Sequence, residues 1–111
     1  MDLEKVKGYV GIASRQGKAV GGEYACRTAL LKGEADLLIF SSMMSEGTRR
    51  RLEAICDTAG TPRIILPPEA DPGDWAGKPG RLCVAIIKNE GLAGEIMRFF
   101  NDARACKGEV G

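Results

Sequence analysis

The sequence predicts an α/β fold in which a single sheet carries helices on both faces. Helical and strand periodicities alternate along the chain, short apolar runs have the length of buried strands, and no internal repeat or low-complexity linker interrupts the pattern. Of the 111 residues, 44% are apolar and 28% are charged, as in a soluble globular domain. We therefore expect one domain over 1–111, with a core over about 3–104 and a frayed tail over 105–111.

The first third of the chain predicts a helix, a short extended segment and a second helix. The first helix should cover 3–15, because its apolar residues recur at helical spacing: Leu3, Val6, Val10 and Ala13. Glycines follow it and leave a short extended segment, 18–20. The second helix should begin at Gly22 or Glu23 and run to about Leu31, where Gly33 ends it.

The middle of the chain predicts a strand, a helix and a second strand. The apolar run 35–40 has the length of a strand that is covered on both faces. Ser45 can cap the next helix and Gly60 can end it. The buried stripe of that helix is predicted to be Leu52, Ile55, Cys56 and Ala59. Residues 63–66 then form a strand, which Pro67 stops.

The last third predicts a loop, the strongest strand and a final helix. Glycine and proline make 71–80 a loop with at most one helical turn around Trp75. Residues 82–87 form the strand, and the last helix begins near Asn89 or Glu90. The complete order is α-β-α-β-α-β-α, with one extra short turn.

The composition argues against an enzyme. The chain has no histidine, which excludes histidine bases, histidine-containing triads and histidine metal ligands. Segment 11–18 resembles a phosphate-binding P-loop only loosely, because five residues separate its glycines, Ala19 replaces the expected hydroxyl residue, and its setting is helical. Cys26, beside Arg27, is the least unfavourable thiol nucleophile. We expect no catalytic residue.

The four cysteines, Cys26, Cys56, Cys83 and Cys106, are widely spaced and form no CxxC pair. A structural metal site is therefore not expected, and reduced, buried thiols fit the apolar neighbours of these residues. The acidic start, residues 1–5, does not look like a signal peptide, and no apolar run has the length of a membrane span. We expect a cytoplasmic monomer without metal, cofactor or membrane association.

The charge distribution favours binding to an anion. The net charge is only +1, but residues 1–33 carry +3, residues 34–60 carry −2 and the remainder sums to zero. The cations Arg15, Lys18 and Arg27 flank Gly21-Gly22, where free backbone N–H groups open a helix and could hold a phosphate. A second basic, glycine-rich loop, 77–81, precedes the strongest strand. If both loops lie at one edge of the sheet, they form a basic patch; otherwise they are ordinary solvated turns.

Two other features have both a binding and a structural interpretation. Arg49-Arg50-Arg51 is the longest basic run, and nucleic-acid contact is one interpretation. Pairing with Glu46 and Glu53 at helical spacing is the alternative that we favour. Trp75 can stack on a base or plug the edge of the sheet, and the second is the commoner use of such a residue.

Several segments, taken together, resemble the bacterial YlxQ-type proteins of the ribosomal L-seven-Ae superfamily of kink-turn RNA binders. They are GIASRQGKAVGGE at 11–23, ADLLI at 35–39, TRRRL at 48–52, Cys56, GTP at 60–62 and GKPGRLCVAI at 77–86. The resemblance covers about residues 3–100. It implies a three-layer α-β-α sandwich around a mixed sheet of about four strands.

The resemblance also implies that two elements contact the kinked RNA. The first holds Lys18, Gly21, Gly22, Glu23 and Arg27, and the second holds Lys78, Gly80 and Arg81, with Leu82 at its edge. Typical relatives open the second helix with Asn-Glu and place a Lys one turn later. Depending on alignment, this chain has Gly22-Glu23 or Tyr24-Ala25 at the pair and Cys26 or Thr28 near the Lys, with Arg27 as the candidate substitute. Met43 stands where relatives often have Asp.

Taken together, these observations predict a non-catalytic RNA-binding protein, ribosome-associated or regulatory, that recognises a kink-turn or similar structured RNA. Ribosomal RNA and translation-related proteins are the expected partners. Two alternatives stay open: a protein-interaction module on the same fold without RNA binding, and a thiol enzyme at Cys26.

Overall fold

The computed structural model describes the backbone of residues 2–110 and the side chains of residues 2–105. Five helices and four strands alternate within these residues, one helix and one strand more than the predicted order α-β-α-β-α-β-α contains. The additional helix is the short turn expected around Trp75. In chain order they are α1 (Glu4–Arg15), β1 (Ala19–Gly21), α2 (Glu23–Leu31), β2 (Ala35–Ser41), α3 (Glu46–Ala59), β3 (Arg63–Leu66), α4 (Pro72–Trp75), β4 (Cys83–Ile87) and α5 (Glu90–Val110).

The four strands form one mixed sheet with the order β1-β4-β2-β3. Strands β2 and β3 are parallel, whereas β4 is antiparallel to both of its neighbours, β1 and β2. Strands β2 and β4 therefore occupy the centre of the sheet and are almost completely buried, which explains why their sequences are continuous apolar runs. The expected mixed sheet of about four strands is confirmed.

Helices cover both faces of the sheet and create two cores. On one face, α1 and α5 bury Val10, Ile96 and Phe100 against strand residues that include Ile39 and Ile86. On the other face, α2 and α3 pack on the alternate residues of the same strands. That second core includes Cys26, Leu30, Leu52, Cys56, Leu38, Phe40 and Ala85. The expected three-layer α-β-α sandwich is confirmed, because successive strand residues point to opposite faces.

The predicted boundaries of α3 are confirmed by its end chemistry. The Ser45 hydroxyl accepts a hydrogen bond from the Thr48 N–H at 3.4 Å, and Gly60 adopts a left-handed conformation with a φ of 71°. Leu52 and Cys56 are fully buried, but the prediction that Ala59 belongs to the buried stripe is wrong. Ala59 is exposed because the last turn of α3 lines an open groove against Leu31 and Gly33.

Helix α5 extends the backbone to Val110 and packs against α1. The expected fraying over 105–111 stays a prediction, because the side chains beyond Ala105 and all of Gly111 lie outside the described residues. Cys26, Cys56 and Cys83 are free and buried, whereas Cys106 lies among the residues without described side chains. In the described part of the chain, no helix combines the length and the apolar character that crossing a membrane requires.

Candidate nucleic-acid interface

The two glycine-rich loops meet at one edge of the sheet. Gly21 pairs with Val84 in the β1–β4 ladder, and the Gly22 N–H donates a hydrogen bond of 2.9 Å to the Cys83 carbonyl. The turn into α2 therefore lies beside the first residues of β4. The loop 77–82 leads directly into that strand, so the antiparallel pairing of β1 with β4 brings the two loops together.

The side chains of the second loop lie directly on the glycines of the first. A β carbon at Gly21 would be 2.9 Å from Lys78 Cδ, and one at Gly22 would be 3.3 Å from Arg81 Cδ. Gly22 also has a φ of 97°, which L-residues with a side chain rarely adopt. We call Gly21, Gly22, Lys78 and Arg81 the cationic cradle. Because Gly21 and Gly22 have no side chains, the aliphatic parts of Lys78 and Arg81 lie directly against the backbone at the N-terminus of α2.

Helix α4 and the turn after it position the second loop. The Asp71 carboxylate accepts a hydrogen bond of 3.1 Å from the Asp74 N–H, and the Lys78 N–H donates one of 2.7 Å to the Gly73 carbonyl. Gly73 packs so closely on this loop that a β carbon there would overlap the Arg81 and Lys78 carbonyls. The backbone that carries the cradle cations is therefore held by direct packing.

Helix α2 carries one acidic and one basic residue in its N-terminal half, Glu23 and Arg27. The Glu23 carboxylate forms an ion pair with Arg51 of α3, with an N–O distance of 3.3 Å. Arg27, one turn further along, is exposed, and its guanidinium carbon lies 5.8 Å from the centroid of the Tyr24 ring. The contact between Glu23 and Arg51 adds α3 to the surroundings of the site. This pairing leaves no local signal in the sequence, because 28 residues separate the partners.

Two of the predicted site residues lie away from the cradle. Lys18 is at the opposite end of β1, where its carbonyl accepts a hydrogen bond from the Ile87 N–H. It precedes Gly21 by three residues, which corresponds to about 10 Å along an extended strand. The Arg15 guanidinium folds back toward Gly11, beside the Trp75 carbonyl, where a β carbon at Gly11 would be 3.4 Å from it. The structure therefore does not place Arg15 or Lys18 beside Gly21-Gly22, although both precede these glycines by only a few residues in sequence.

Ion pairing separates the basic residues into two groups. Arg49 and Arg50 pair with Glu53 and Glu46 at 3.7 and 2.6 Å, and Arg51 pairs with Glu23. The preferred interpretation of the triple-arginine run, a solvated and paired face, is confirmed. By contrast, all five cations of the predicted site lack an ion pair within the residues whose side chains are described. They are Arg15, Lys18, Arg27, Lys78 and Arg81.

The thiol that stood as an alternative nucleophile is inaccessible. Cys26 is completely buried below the turn, and its pKa is raised by a hydrogen bond with the Cys83 thiol and by burial. A nucleophilic cysteine needs exposure and an accessible thiolate, and Cys26 has neither. Among the described residues, no group of three His, Cys, Asp or Glu side chains gathers closely enough to hold a metal ion.

Trp75 is half-buried and packs against the core that α1 and α5 form on the sheet. This packing favours a structural role for Trp75, whereas its position at the edge of the sheet stays a prediction. Two other residues, Met43 and Leu82, are 64% and 41% exposed. The Ser41 N–H donates to the Leu82 carbonyl at 2.8 Å, which places the loop after β2 beside the second loop of the cradle.

The layers and the strand order define an α/β sandwich. The cationic cradle lies at one edge of its sheet, where two basic side chains cover two glycines. The model of the ribosomal protein L7Ae/L30e/S12e/Gadd45 family matches residues 4–96. The chain belongs to this family, which confirms the superfamily expected from the sequence. No curated protein sequence matches the chain.

Solved structures share this fold at low sequence identity. A protein of unknown function from Bacillus halodurans C has a TM-score of 0.79 and 21% identity, and the match covers 90% of this chain and 99% of that one. A 15.5kD RNA binding protein from Giardia lamblia has a TM-score of 0.70 and 16% identity, covering 93% of this chain and 87% of that one. At such identities, the likeness shows the fold alone.

Proposed function

We propose that this chain is a non-catalytic cytoplasmic RNA-binding protein whose cationic cradle holds backbone phosphates of a structured RNA. The observation that carries the proposal is the placement of Lys78 and Arg81 on the bare backbone of Gly21 and Gly22. Neither cation has an ion pair among the side chains of residues 2–105. A phosphate there would meet two positive side chains and the N–H groups that open α2. The family, and a structural relative described as an RNA binding protein, support RNA as the ligand.

Within RNA ligands, we propose a kink-turn or a similarly bent RNA as the target. Such a kink crowds phosphates together and exposes unpaired bases, and two loops that meet at one sheet edge fit a local target of this kind. The resemblance of 11–23 and 77–86 to YlxQ-type proteins supports a bacterial, ribosome-associated or regulatory role. In this proposal the chain acts as a monomer, and ribosomal RNA or translation-related proteins are its partners.

The proposal is tested by fluorescence anisotropy with a labelled kink-turn RNA over a series of KCl concentrations. The wild type should bind with an affinity that falls as salt rises, because bound cations release counterions from the phosphates. The double variant Lys78→Ala/Arg81→Ala should bind at least tenfold more weakly. Its log–log salt slope should be shallower by about 1.5–2, since two phosphate contacts are lost.

The matched control removes two exposed cations that lie outside the cradle, Lys32 and Arg104, by substitution with Ala. This variant has the same net charge as the cradle variant, so it separates local contact from bulk attraction. Equal losses in the two variants would contradict a local site. A wild-type chain that binds no structured RNA at low salt would favour the protein-interaction alternative, which co-purification of a protein partner after ribonuclease treatment would then identify.

A further inference from the structure

Tyr24 is an exposed aromatic residue that the fold does not use. It lies in the first turn of α2, and 74% of its surface is open to solvent. The same helix buries Cys26, Ala29 and Leu30 against the sheet, so Tyr24 lies on the opposite, outer face. An aromatic ring usually stabilises a protein by burying its large apolar surface. Tyr24 contributes little to this core, and its exposure calls for another explanation.

The guanidinium group of Arg27 lies over one face of the Tyr24 ring. Its guanidinium carbon is 5.8 Å from the ring centroid, within the range of a cation–aromatic contact, and the two residues are one helical turn apart. Arg27 has no ion pair among the side chains that the structure describes. The pair therefore presents a flat aromatic surface with a positive charge beside it, and most of that surface faces solvent.

The position of this pair connects it to the cradle. Tyr24 follows Gly22 by two residues, and the Arg81 side chain lies against Gly22. Leu82, which follows Arg81 and precedes β4, and Met43, which follows β2, are also exposed. Exposed apolar side chains therefore border a cationic site, which is the combination that binds unpaired nucleotides: cations hold the backbone while flat apolar surfaces stack on bases.

We propose that Tyr24, supported by Arg27, is a stacking platform for one unpaired nucleobase whose flanking phosphate is held in the cradle. This inference rests on the proposed function and specifies the part of the RNA that the site accepts: a bulged or single-stranded nucleotide. Because every base has a flat face, the platform tolerates any base at that position. Recognition there depends on the nucleotide being unpaired and not on its identity.

The test uses the full chain and a kink-turn RNA in which each bulge nucleotide in turn is replaced by 2-aminopurine or by an abasic residue. Stacking on Tyr24 should quench the fluorescence of 2-aminopurine at one bulge position. Tyr24→Leu keeps the apolar bulk but removes the ring, and it should weaken binding about tenfold and abolish that quenching. Tyr24→Phe keeps the ring and should bind within twofold of the wild type.

Two controls isolate stacking from other effects. Leu31→Ala changes another residue of α2 that is 70% exposed, and it should leave the affinity within twofold. With the abasic RNA, the wild type and Tyr24→Leu should bind equally, since the base that distinguishes them is gone. Circular dichroism of each variant verifies the fold, which these exposed positions should leave intact.

The outcomes separate this inference from the proposed function. If the wild type binds and the Lys78→Ala/Arg81→Ala variant does not, but Tyr24→Leu binds as the wild type does, the platform is refuted and the cradle is retained. An equal loss for Leu31→Ala also refutes stacking, because it indicates a general apolar contact. A wild type without RNA affinity removes the proposed function, and the platform with it.

Discussion

Gly73 has no room for a β carbon, which makes Gly73→Ala an informative perturbation of this fold. The carbon would overlap the carbonyls of Arg81 and Lys78 and approach the Arg81 nitrogen at 2.9 Å. All three neighbours are backbone atoms, so no side-chain rotation can relieve the overlap. Either α4 or the loop 77–82 must move, and that loop carries both cations of the cradle.

The size of the movement follows from the distances. The Lys78 carbonyl oxygen would be 2.6 Å from the new carbon, and ordinary contact begins at 3.4 Å, so the backbone must move by at least about 0.8 Å there and by more at the nearer Arg81 carbonyl. Overpacking on this scale costs about 1–3 kcal/mol. For a domain of this size, 1 kcal/mol corresponds to about 4 °C in Tm, so Gly73→Ala should lower Tm by about 4–12 °C.

Urea unfolding followed by the fluorescence of Trp75 measures the change in the free energy of unfolding. Trp75 is the only tryptophan and lies two residues from the substitution, so the native spectrum should also shift. Gly94→Ala is the control, because its site in α5 has open space around a β carbon. Replacing that glycine should stabilise the helix by up to about 1 kcal/mol. A Gly73→Ala variant within 0.5 kcal/mol of the wild type, with an unchanged spectrum, would refute the packing argument.

Substitutions at three other positions test the stability of the fold by urea unfolding. Ser45→Ala removes the α3 cap and should cost about 1 kcal/mol, whereas Ser45→Gly should cost only a few tenths. Leu52→Ala empties a fully buried position and should cost about 2–5 kcal/mol; a smaller loss would show that the α3 core is loosely packed. Burial raises the pKa of the Cys56 thiol to about 11, above its unfolded value of about 8.5. The folded state then keeps a proton that the unfolded state loses, so stability should fall as pH rises from about 8.5 to 11. Cys56→Ala should flatten that decline, and parallel pH profiles would contradict it.

Much of the fold follows from local chemistry in the sequence. The runs 35–40 and 82–87 predict strands because a short run that is apolar at nearly every position is typical of a strand covered on both faces, and both lie at the centre of the sheet. Ser45 and Gly60 predict the ends of α3. The Ser45 hydroxyl accepts a hydrogen bond from a backbone N–H that has no partner within the helix, and Gly60 adopts the left-handed conformation that ends it. Ala59 was misassigned because periodicity predicts which face a residue shares, but not where the neighbouring helix ends.

The candidate site was predictable only in part. Its glycine-rich loops are visible in the sequence, but their meeting depends on the antiparallel pairing of β1 with β4, which no local pattern encodes. Lys18 precedes Gly21 by only three residues and still points to the other end of the strand, since an extended chain separates neighbours quickly. The steric role of Gly73 leaves no signal at all, because it arises from contact with residues that follow in a separate loop.

The arrangement of ion pairs explains how a chain with a net charge of +1 can present a cationic site. The most basic segment, Arg49-Arg50-Arg51, forms ion pairs with carboxylates of α3 and α2. Lys78 and Arg81 lie in a loop without an acidic residue. The nearest carboxylate in sequence, that of Asp74, lies in α4. Their charge stays unpaired in the described structure, and the glycines opposite hold no side chain that could shield it. The local field therefore depends on which cations lack a partner, and a run of basic letters is a poor guide to it.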